Sequence, residues 1–340
     1  QRQQGTSLGT QIESALETAE GNSVRGGLLL RGRTSHEAIA PTAAKRMQRA
    51  SLGIYLEDEW KPARGVTINA GLRGDWLRSL GESPVAEPRA SVVWQSDGGF
   101  TVHGGYARYA SASPLGEEPA GTSLPDEKDD YFDAGVQQKI GSFTIGLDGY
   151  YRRTRHLIAE HMTPGTATPQ EFAFARARFR GVEFSAIYAQ GPVSAWANLD
   201  LSSSQGRTIV GGTALFSPAI LAAGNSRWTP LATDRPLSGS GGIAWRIGGL
   251  NLSADVVAGS GAVRTTDLSD PNGARAPAYV DLGLASVYHF DLFGRPLDMR
   301  LDLTDLTNVH YVTGDAANLE GGWTRFAVGR SILVGFEQSF

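Results

Sequence analysis

The chain of 340 residues contains no cysteine, which excludes thiol catalysis, disulfide bridges and metal sites built on cysteine. It also has no run close to the ~18 apolar residues that a membrane-spanning helix requires, although 41% of its residues are hydrophobic. That absence excludes an α-helical membrane protein. It does not exclude a transmembrane β-barrel, whose strands alternate and keep the average hydropathy low. Basic residues form no block and the net charge is −4, so nucleic acid is not expected as a partner.

Signatures of catalysis are missing as well. His156 and His161 are five residues apart and lack the spacing of two zinc ligands on a helix. The glycine-rich stretch at 238–242 is not followed by the Lys-Ser/Thr pair of a phosphate-binding loop, and no Gly-x-Ser-x-Gly elbow occurs. The sequence therefore predicts no enzyme activity, no cofactor and no metal site.

Alternation of apolar and polar residues is the dominant pattern that is present. In GSFTIGLDGYYRR, for example, Phe143, Ile145 and Leu147 alternate with Thr144 and Asp148. Successive side chains of a strand point to opposite faces, so each such segment predicts a strand with one apolar face. About fifteen segments of this kind follow one another, and helical periodicity is nearly absent. The predicted fold class is all-β.

The connections between these segments alternate in length. Short ones are expected near residues 19–23, 61–65, 95–99, 140–142, 189–192, 246–249 and 291–296. Long ones are expected near 35–48, 78–88, 112–128, 158–173, 206–234, 263–276 and 307–324. Short periplasmic turns at one end and long extracellular loops at the other are the layout of an outer-membrane barrel. Strands of roughly 10 to 15 residues also fit a tilted bilayer crossing. The sequence therefore predicts a transmembrane antiparallel β-barrel.

Aromatic residues cluster at both ends of the predicted strands, as they do at the two membrane interfaces of a barrel. Those beside short turns are Trp60, Trp94, Phe100, Phe143, Tyr188, Trp245 and Phe290, and those toward long loops are Trp76, Tyr106 and Tyr151. Core aromatics at strand ends are the alternative interpretation. The repeated coincidence with the apolar parity favours interface belts.

Arg176, Arg178 and Arg180 test this geometry, because charges at mid-bilayer would cost roughly 2–4 kcal/mol each. They share the parity of Val182 and the apolar residues that follow it. A tilted strand rises roughly 2.5 Å per residue, so these arginines would lie above an apolar band about 25 Å tall and could meet anionic lipid headgroups. A bulge at Gly181 that turns them toward the barrel interior is the alternative.

Two sets of residues are candidates for contact with a ligand. In the first, Ser217 could cap a short helix, Pro218 suits its first turn and Gly224 could end it. With the aromatic face of Trp228, this loop is either a lid or ligand contact, or a helix that packs on its neighbours. The second set comprises mixed charges on the polar parity, expected to pair with each other or with a plug rather than with substrate. These lumen positions are Asp148, Arg152, Asn198, Asp200, Asp255, Arg300 and Asp302.

An ordered series of segments carries a family resemblance. The segments are GIYLEDEWKPARGVTINAGLRGDW, EPRASVVWQSDGGFTVHGGYARY, DDYFDAGVQQKIGSFTIGLDGYYRRTRHLI, FRGVEFSAIY, RLDLTDLTNVHY and GRSILVGFEQSF. Over residues 48–340 the chain resembles the C-terminal barrel of TonB-dependent outer-membrane receptors. The resemblance implies a barrel of roughly 22 strands filled by an N-terminal plug.

The resemblance also implies a function. It is the active uptake of a scarce nutrient, such as a metal chelate (siderophore) or a vitamin, across the outer membrane of a Gram-negative bacterium. Energy would arrive from the TonB complex through an N-terminal region that this sequence lacks. The other implied partners are outer-membrane lipid and lipopolysaccharide, a small-molecule substrate, and the barrel-assembly machinery. That machinery would read a terminal aromatic signal at Phe336 and Phe340.

The odd number of strands bears on domain organisation. An intact barrel with both termini at the short-turn end needs an even number. We therefore expect residues 1–340 to be the C-terminal portion of a barrel, with the plug domain and the first barrel strands absent from the chain. The alternative function is a passive porin-type channel of roughly 14–16 strands, and a soluble β-repeat binding protein is a third possibility.

Overall fold

A computed structural model describes residues 2–19, 21–40, 43–77, 85–111, 124–161, 170–315 and 324–338. Strands account for most of these residues, because alternating side chains give each segment one face for an apolar and one for a polar environment. Within these ranges, no helix has the length and the apolar character needed to cross a membrane.

Fifteen long strands form one antiparallel sheet in which each strand pairs with its neighbours in chain order. They are β1 Arg2–Ala19, β2 Asn22–Ala40, β3 Ala43–Ala63, β4 Val66–Leu77, β5 Val85–Gln95, β6 Phe100–Ser111, β7 Glu127–Ile140, β8 Phe143–His161, β9 Gln170–Gln190, β10 Val193–Gly211, β11 Leu237–Ile247, β12 Leu250–Gly259, β13 Tyr279–Leu292, β14 Arg295–Thr304 and β15 Ser331–Gln338. A two-residue strand, Thr229–Pro230, pairs with β10 as a sixteenth. The predictions of an all-β fold and of about fifteen strands are confirmed.

The seven short turns lie at one end of the sheet, and each contains a glycine with positive φ. Left-handed backbone matches the twist of a tight hairpin and costs glycine nothing, since it has no Cβ. These glycines are Gly21, Gly65, Gly99, Gly141, Gly191, Gly248 and Gly294. All seven predicted short connections are confirmed.

The connections at the opposite end are longer, and within the described residues three of them contain helices or strands. Loop 212–236, called here the helical loop, contains the 3-10 turn Thr213–Leu215 and the α-helix α1, Pro218–Ser226. Small two-stranded pairs form in the next two long loops: Val263–Arg264 with Ala274–Arg275, and Val312–Asp315 with Thr324–Phe326.

One predicted loop is wrong. Residues 35–48 were expected to be a long connection, but β2 and β3 remain paired as far as Ala40 and Ala43. The segment has no glycine to favour a wide turn. A continued ladder also pairs backbone N–H and C=O groups with each other. The sheet therefore extends further at this point than the alternation alone indicates.

The two faces of the sheet differ as the alternation predicts. On one, called the apolar face, Leu56, Leu72 and Ile140 are 60%, 55% and 61% exposed. The other, called the polar face, carries charged side chains such as Asp133 and Asp148. A continuous exposed aliphatic band indicates a non-aqueous neighbour. Within the described residues, β1 pairs with β2 alone and β15 with β14 alone, so the sheet does not close into a ring.

Candidate functional site

A row of carboxylates crosses the polar face where β8, β9 and β10 lie side by side. Asp148, Glu183 and Asp200 are direct register partners on these strands. His103 lies at one end of the row, with its Nε2 2.9 Å from Oδ1 of Asp148. The row concentrates negative charge on a face whose other charges are mixed. Like charges at adjacent cross-strand positions repel each other, so this row is unfavourable by itself.

Gly135 on β7 makes room for the contact between imidazole and carboxylate. It is the register partner of Asp148. A Cβ added at Gly135 would collide with the carboxylate of Asp148 and with the ring of His103. Gly135 therefore allows the imidazole of His103 to reach the carboxylate of Asp148.

In the described part of the chain, no group of three or more histidine, aspartate or glutamate side chains is placed to hold a metal ion.

A second polar group lies on the same face, nearer the long-loop end. The Nε and Nη2 atoms of Arg152 donate to the two carboxylate oxygens of Asp129 at 2.8 and 2.9 Å, and Nη2 also donates to Glu127 at 2.7 Å. Thr154 Oγ1 donates to Asp129 at 2.5 Å. The guanidinium lies over the ring of Phe179, with Cζ 4.8 Å from its centroid. Arg152 is thus held by two carboxylates and an aromatic ring.

Glu127 is the first residue of β7 and lies well beyond the ring of Phe132 toward the long loops. Burial raises the pKa of Glu127, while the backbone N–H of Ile158, which donates to its Oε2 at 2.9 Å, acts in the opposite direction. A carboxylate whose pKa is raised by folding destabilises the folded state once it ionises. That contribution is absent below the ordinary glutamate pKa and complete above the raised one. Arg152 offsets part of this cost.

Left-handed backbone redirects the side chains near the long-loop ends of β8 and β10. His156 has a φ of 56°. Arg155 before it is exposed, whereas Leu157 after it is buried. Strict alternation would give these two residues the same surroundings. Thr208, with a φ of 61°, has the same effect on β10, where Ile209 after it is buried.

These redirected residues belong to a hydrophobic cluster beneath the helical loop, called here the roof cluster. It consists of Leu157, Phe172, Phe174, Ala177, Ile209, Phe216, Ile220 and Leu231. The rings of Phe172 and Phe216 meet edge to face, with centroids 4.8 Å apart. Phe174 covers Gly206, where an added Cβ would collide with the ring. A cavity of about 340 Å³ lies beside the cluster, between Phe179 and Leu231.

Polar contacts fasten the helical loop to the sheet and to the next long loop. Asp234 Oδ1 accepts a hydrogen bond from the backbone N–H of Ser204 at 2.6 Å. The same carboxylate forms an ion pair with Arg275 in the next loop. Asn272, also in that loop, donates from Nδ2 to the carbonyl oxygen of Pro230 at 2.8 Å. The two loops and the end of β10 are therefore joined as one structure.

The predicted loop helix forms. Ser217 stands at its N-cap and Pro218 in its first turn, but the side chain of Ser217 makes no capping hydrogen bond. The prediction that Gly224 ends the helix is wrong, because α1 continues to Ser226. Gly224 is buried against Ile209, where a Cβ would lie 3.9 Å from the nearest side-chain carbon. The glycine is thus part of the packing surface of the helix.

Trp228 lies away from the roof cluster. The Cζ atom of Arg178 is 4.3 Å from the centroid of its ring. Arg178 also donates from Nε and Nη2 to Oε1 of Gln205 at 2.9 and 2.6 Å. Arg178 and Gln205 are register partners that continue the parity of Val182, on the apolar face. The helical loop thus brings α1 to the roof cluster and Trp228 to the opposite face.

The pairing of β9 decides between the two interpretations of its arginines. Its register with β8 and β10 is continuous from Val182 through Gly181 to Arg176. The interpretation with a bulge at Gly181 is therefore wrong. Arg176, Arg178 and Arg180 stay on the apolar face, above its aliphatic band.

The other predicted polar residues are spread over the polar face. Asp200 accepts a hydrogen bond from Ser202 Oγ at 2.6 Å, and Arg300 Nε donates to Asp302 at 2.6 Å. Asn198 is exposed on β10, two residues from Asp200. On the apolar face, Phe336 is 67% exposed, while Phe340 lies outside the described residues. The structure does not gather these positions into one site.

Comparison with known families identifies the fold. A family model described as TonB dependent receptor-like, beta-barrel, matches residues 9–309. The chain belongs to the TonB-dependent receptor family. This is a Gram-negative outer-membrane family of receptors and transporters, not of enzymes. The predicted family and the predicted lack of enzyme activity are confirmed. In a TonB-dependent receptor barrel, the apolar face meets lipid, the polar face lines the lumen and the long-loop end is extracellular.

Solved TonB-dependent receptor structures share this fold at low sequence identity. The FrpB iron transporter from Neisseria meningitidis (F3-3 variant) has a TM-score of 0.72 and 14% identity, covering 98% of this chain and 55% of that one. The copper transporter OprC has a TM-score of 0.71 and 14% identity, covering 99% and 56%. BauA, the ferric preacinetobactin receptor from Acinetobacter baumannii, has a TM-score of 0.70 and 15% identity, covering 99% and 54%. The chain therefore spans about half the length of these proteins. Among curated proteins, no sequence matches it.

Sequence reasoning missed Glu127, Asp129 and Thr154, and it missed the roof cluster. The acidic run DEKDD at 126–130, placed directly before an alternating segment, was the available signal for the carboxylates. Phe172 falls at the end of the predicted loop 158–173, and Phe174 follows directly after it. Their burial depends on the left-handed residues of β8 and β10, which leave no pattern in the sequence.

Proposed function

We propose that this chain is the barrel wall of a TonB-dependent active transporter. The transporter imports a scarce nutrient across the bacterial outer membrane. The observation that carries the proposal is the family match over residues 9–309, on a sheet with an exposed aliphatic face and a charged opposite face. A metal chelate is the substrate class we favour, since the solved relatives include iron, copper and ferric siderophore transporters. A vitamin or a similar small molecule is the wider class.

The whole transporter needs parts that this chain does not supply. We propose that residues 1–340 form the C-terminal portion of the barrel, and that a plug and the remaining strands complete it. A region before the plug would receive energy from the TonB complex. The barrel-assembly machinery would read the aromatic signal at Phe336 and Phe340, and the protein would lie in the outer membrane among its lipids.

Within this chain, we propose that substrate passes the roof cluster and then descends the polar face. The helical loop that carries Ser217 and Trp228 would contact substrate through α1, because α1 packs on the roof cluster beside the 340 Å³ cavity. The cavity walls are largely aromatic and aliphatic, which suits an apolar part of a chelate. Below them, the row of Asp148, Glu183 and Asp200 would favour a cationic or neutral substrate over a polyanion.

Uptake by a deletion strain tests the function. The strain would be supplied in turn with ferric siderophores, copper chelates and cobalamin-type vitamins, with and without the full-length gene. We expect saturable uptake of one class, restored by the gene and abolished by loss of TonB or by a protonophore. Leakage of small solutes that is independent of TonB would instead support the porin-type channel and overturn the proposal.

Variants of the helical loop test the substrate route. Ile220→Ala removes a fully buried side chain from the roof cluster and should lower uptake. Trp228→Ala changes the same loop on the opposite face and should leave uptake nearly unchanged. If Trp228→Ala alone impairs uptake while the variant barrel assembles normally, substrate contacts the Trp228 side and the proposed route is wrong.

A further inference from the structure

Seven cations stand together on the apolar face where β7 to β10 rise beyond their aliphatic band. They are called here the basic patch: Lys128, Arg153, Arg155, Arg176, Arg178, Arg180 and Arg207. The patch begins at an aromatic row in which Phe132, Tyr151 and Arg180 are successive register partners. Tyr106 extends that row on β6, with its ring centroid 5.0 Å from that of Phe132. The basic patch therefore starts at the level of the interface aromatics.

The register places like charges side by side. Two residues above the aromatic row, Arg153 on β8 faces Arg178 on β9. Two residues higher again, four cations stand in line on four adjacent strands. In order across the sheet they are Lys128, Arg155, Arg176 and Arg207. Directly opposed side chains have Cβ atoms about 4.5–5.5 Å apart, and like charges at that distance destabilise a sheet. This arrangement therefore lowers stability unless an anion lies against it.

The chain itself supplies little compensation within its described residues. Asp130 is the one carboxylate in these register rows. It already binds Arg108 at 2.7 Å and the hydroxyl of Tyr106 at 2.9 Å. Arg155 forms no ion pair with it, although its charge favours the ionised carboxylate from a longer distance. Glu127 and Asp129, the nearest other carboxylates of β7, face the opposite side and bind Arg152. None of the four cations in line forms an ion pair within the described residues.

Below the basic patch, the same face is apolar. Val182 and Leu201 are register partners directly beneath Arg180 and Ser203, and they are 46% and 53% exposed. A ligand that fits both regions has several anionic groups at the aromatic level and hydrocarbon below it. Guanidinium groups bind phosphate through paired hydrogen bonds. A soluble phosphate would satisfy the cations and leave the aliphatic surface bare.

We propose that the basic patch is a binding site for the phosphorylated, acylated glycolipid of the outer leaflet. The phosphates lie against the line of four cations and the acyl chains lie along Val182 and Leu201. Arg178 has a different role from the other cations, because Gln205 and Trp228 hold its guanidinium in place. It gives the site a fixed charge, while the exposed arginines close on the headgroup.

The test uses the full-length protein in lipid-free detergent, titrated with diphosphorylated lipid A and monitored by native mass spectrometry. The test variant is Arg155→Gln/Arg176→Gln/Arg207→Gln. The matched control, Arg25→Gln/Arg31→Gln/Arg33→Gln, removes the same charge from the polar face of β2. We expect the test variant to bind lipid A roughly tenfold more weakly or worse through the loss of three charge-assisted contacts, and the control to bind like wild type. Lipid A stripped of phosphate should bind wild type as weakly as diphosphorylated lipid A binds the test variant.

Thermal unfolding supplies a readout with the opposite sign. Without lipid, the test variant should unfold at the same temperature as wild type or higher, because neutral glutamines relieve the repulsion. Diphosphorylated lipid A should then raise the midpoint of wild type by several degrees and leave that of the test variant unchanged. Equal affinity of wild type and test variant, or equal loss in both variants, would overturn the proposal. Full displacement of lipid A by millimolar inorganic phosphate would also overturn it, since it would indicate a site for free phosphate.

Discussion

Arg152 and Arg153 are neighbours in β8, so their side chains lie on opposite faces of the sheet. On the polar face, Arg152 binds Asp129 and Glu127 and lies over Phe179. On the apolar face, Arg153 lies between Asp130 and Arg178 in the register and forms no ion pair in the described residues. Arg152 is thus paired within the sheet, whereas the cations of the basic patch form no ion pair in the described residues. Four predictions test this contrast, from the largest expected effect to the smallest.

The strongest test compares two phenylalanines of β9. Phe174 is 1% exposed in the roof cluster, whereas Phe184 is 39% exposed on the apolar face. Phe174→Ala should destabilise the roof by about 3–5 kcal/mol, because it leaves a cavity in a packed core. Hydrogen–deuterium exchange of the helical loop in the full-length protein should show this loss. Phe184→Ala is the control and should leave that exchange unchanged, and equal effects would contradict the burial that separates the two residues.

The neighbouring arginines give the second test. Arg152→Gln leaves buried Asp129 without its charged partner and should cost about 2 kcal/mol, less than for a fully buried pair because Arg152 is one-third exposed. Arg153→Gln should change stability by less than about 0.5 kcal/mol, since no ion pair is lost. Thermal unfolding in detergent would measure both. Similar losses of stability would contradict the difference in ion pairing between Arg152 and Arg153.

Glycines on the two faces give the third test. Gly135→Ala forces the carboxylate of Asp148 and the ring of His103 apart and should cost about 1 kcal/mol, because both side chains can move. Gly149→Ala, on the apolar face, meets its nearest atom at 3.9 Å and should cost less. Unfolding midpoints would rank the two variants. The reverse ranking would show that the row of carboxylates accommodates a methyl group freely.

The smallest effect is expected at Asp130. Asp130→Asn removes a partly exposed partner of Arg108 and Tyr106, so it should lower stability by less than about 1 kcal/mol. It also removes the carboxylate beside the basic patch, so lipid A should bind somewhat more tightly than to wild type. Native mass spectrometry would detect the change. Weaker binding would indicate that Asp130 orders the arginines instead of competing with the lipid.

Much of the fold follows from the sequence, because a period of two and a glycine at each short turn are local signals. The register of β9 with its neighbours preserves the parity of Arg176 and Arg180, as the alternation predicts. The turn glycines indicate where each hairpin reverses direction. The extension of β2 to Ala40 and of β3 back to Ala43 was not predictable in this way, because a strand outside the membrane needs no apolar alternation.

The candidate site was less accessible to sequence reasoning. Arg152 was recognised as a residue of the polar face, but its partners lie on β7, and a single sequence does not give the diagonal contact between strands. Ser217 and Pro218 correctly marked the start of a helix. No local pattern indicates that Trp228, two residues beyond the end of that helix, lies on the opposite face. The loop folds back along the edge of β10, so residues close in sequence end on opposite faces.

The left-handed residues His156 and Thr208 have a consequence for how this wall can change. Below them, a substitution on the apolar face is constrained by the thickness and chemistry of a bilayer. Above them, Leu157 and Ile209 face other protein atoms, and the constraint is the packing of a small core. The two residues mark the boundary between these two kinds of constraint. We therefore expect changes in the loops beyond these two residues to leave the membrane-facing part of the sheet intact.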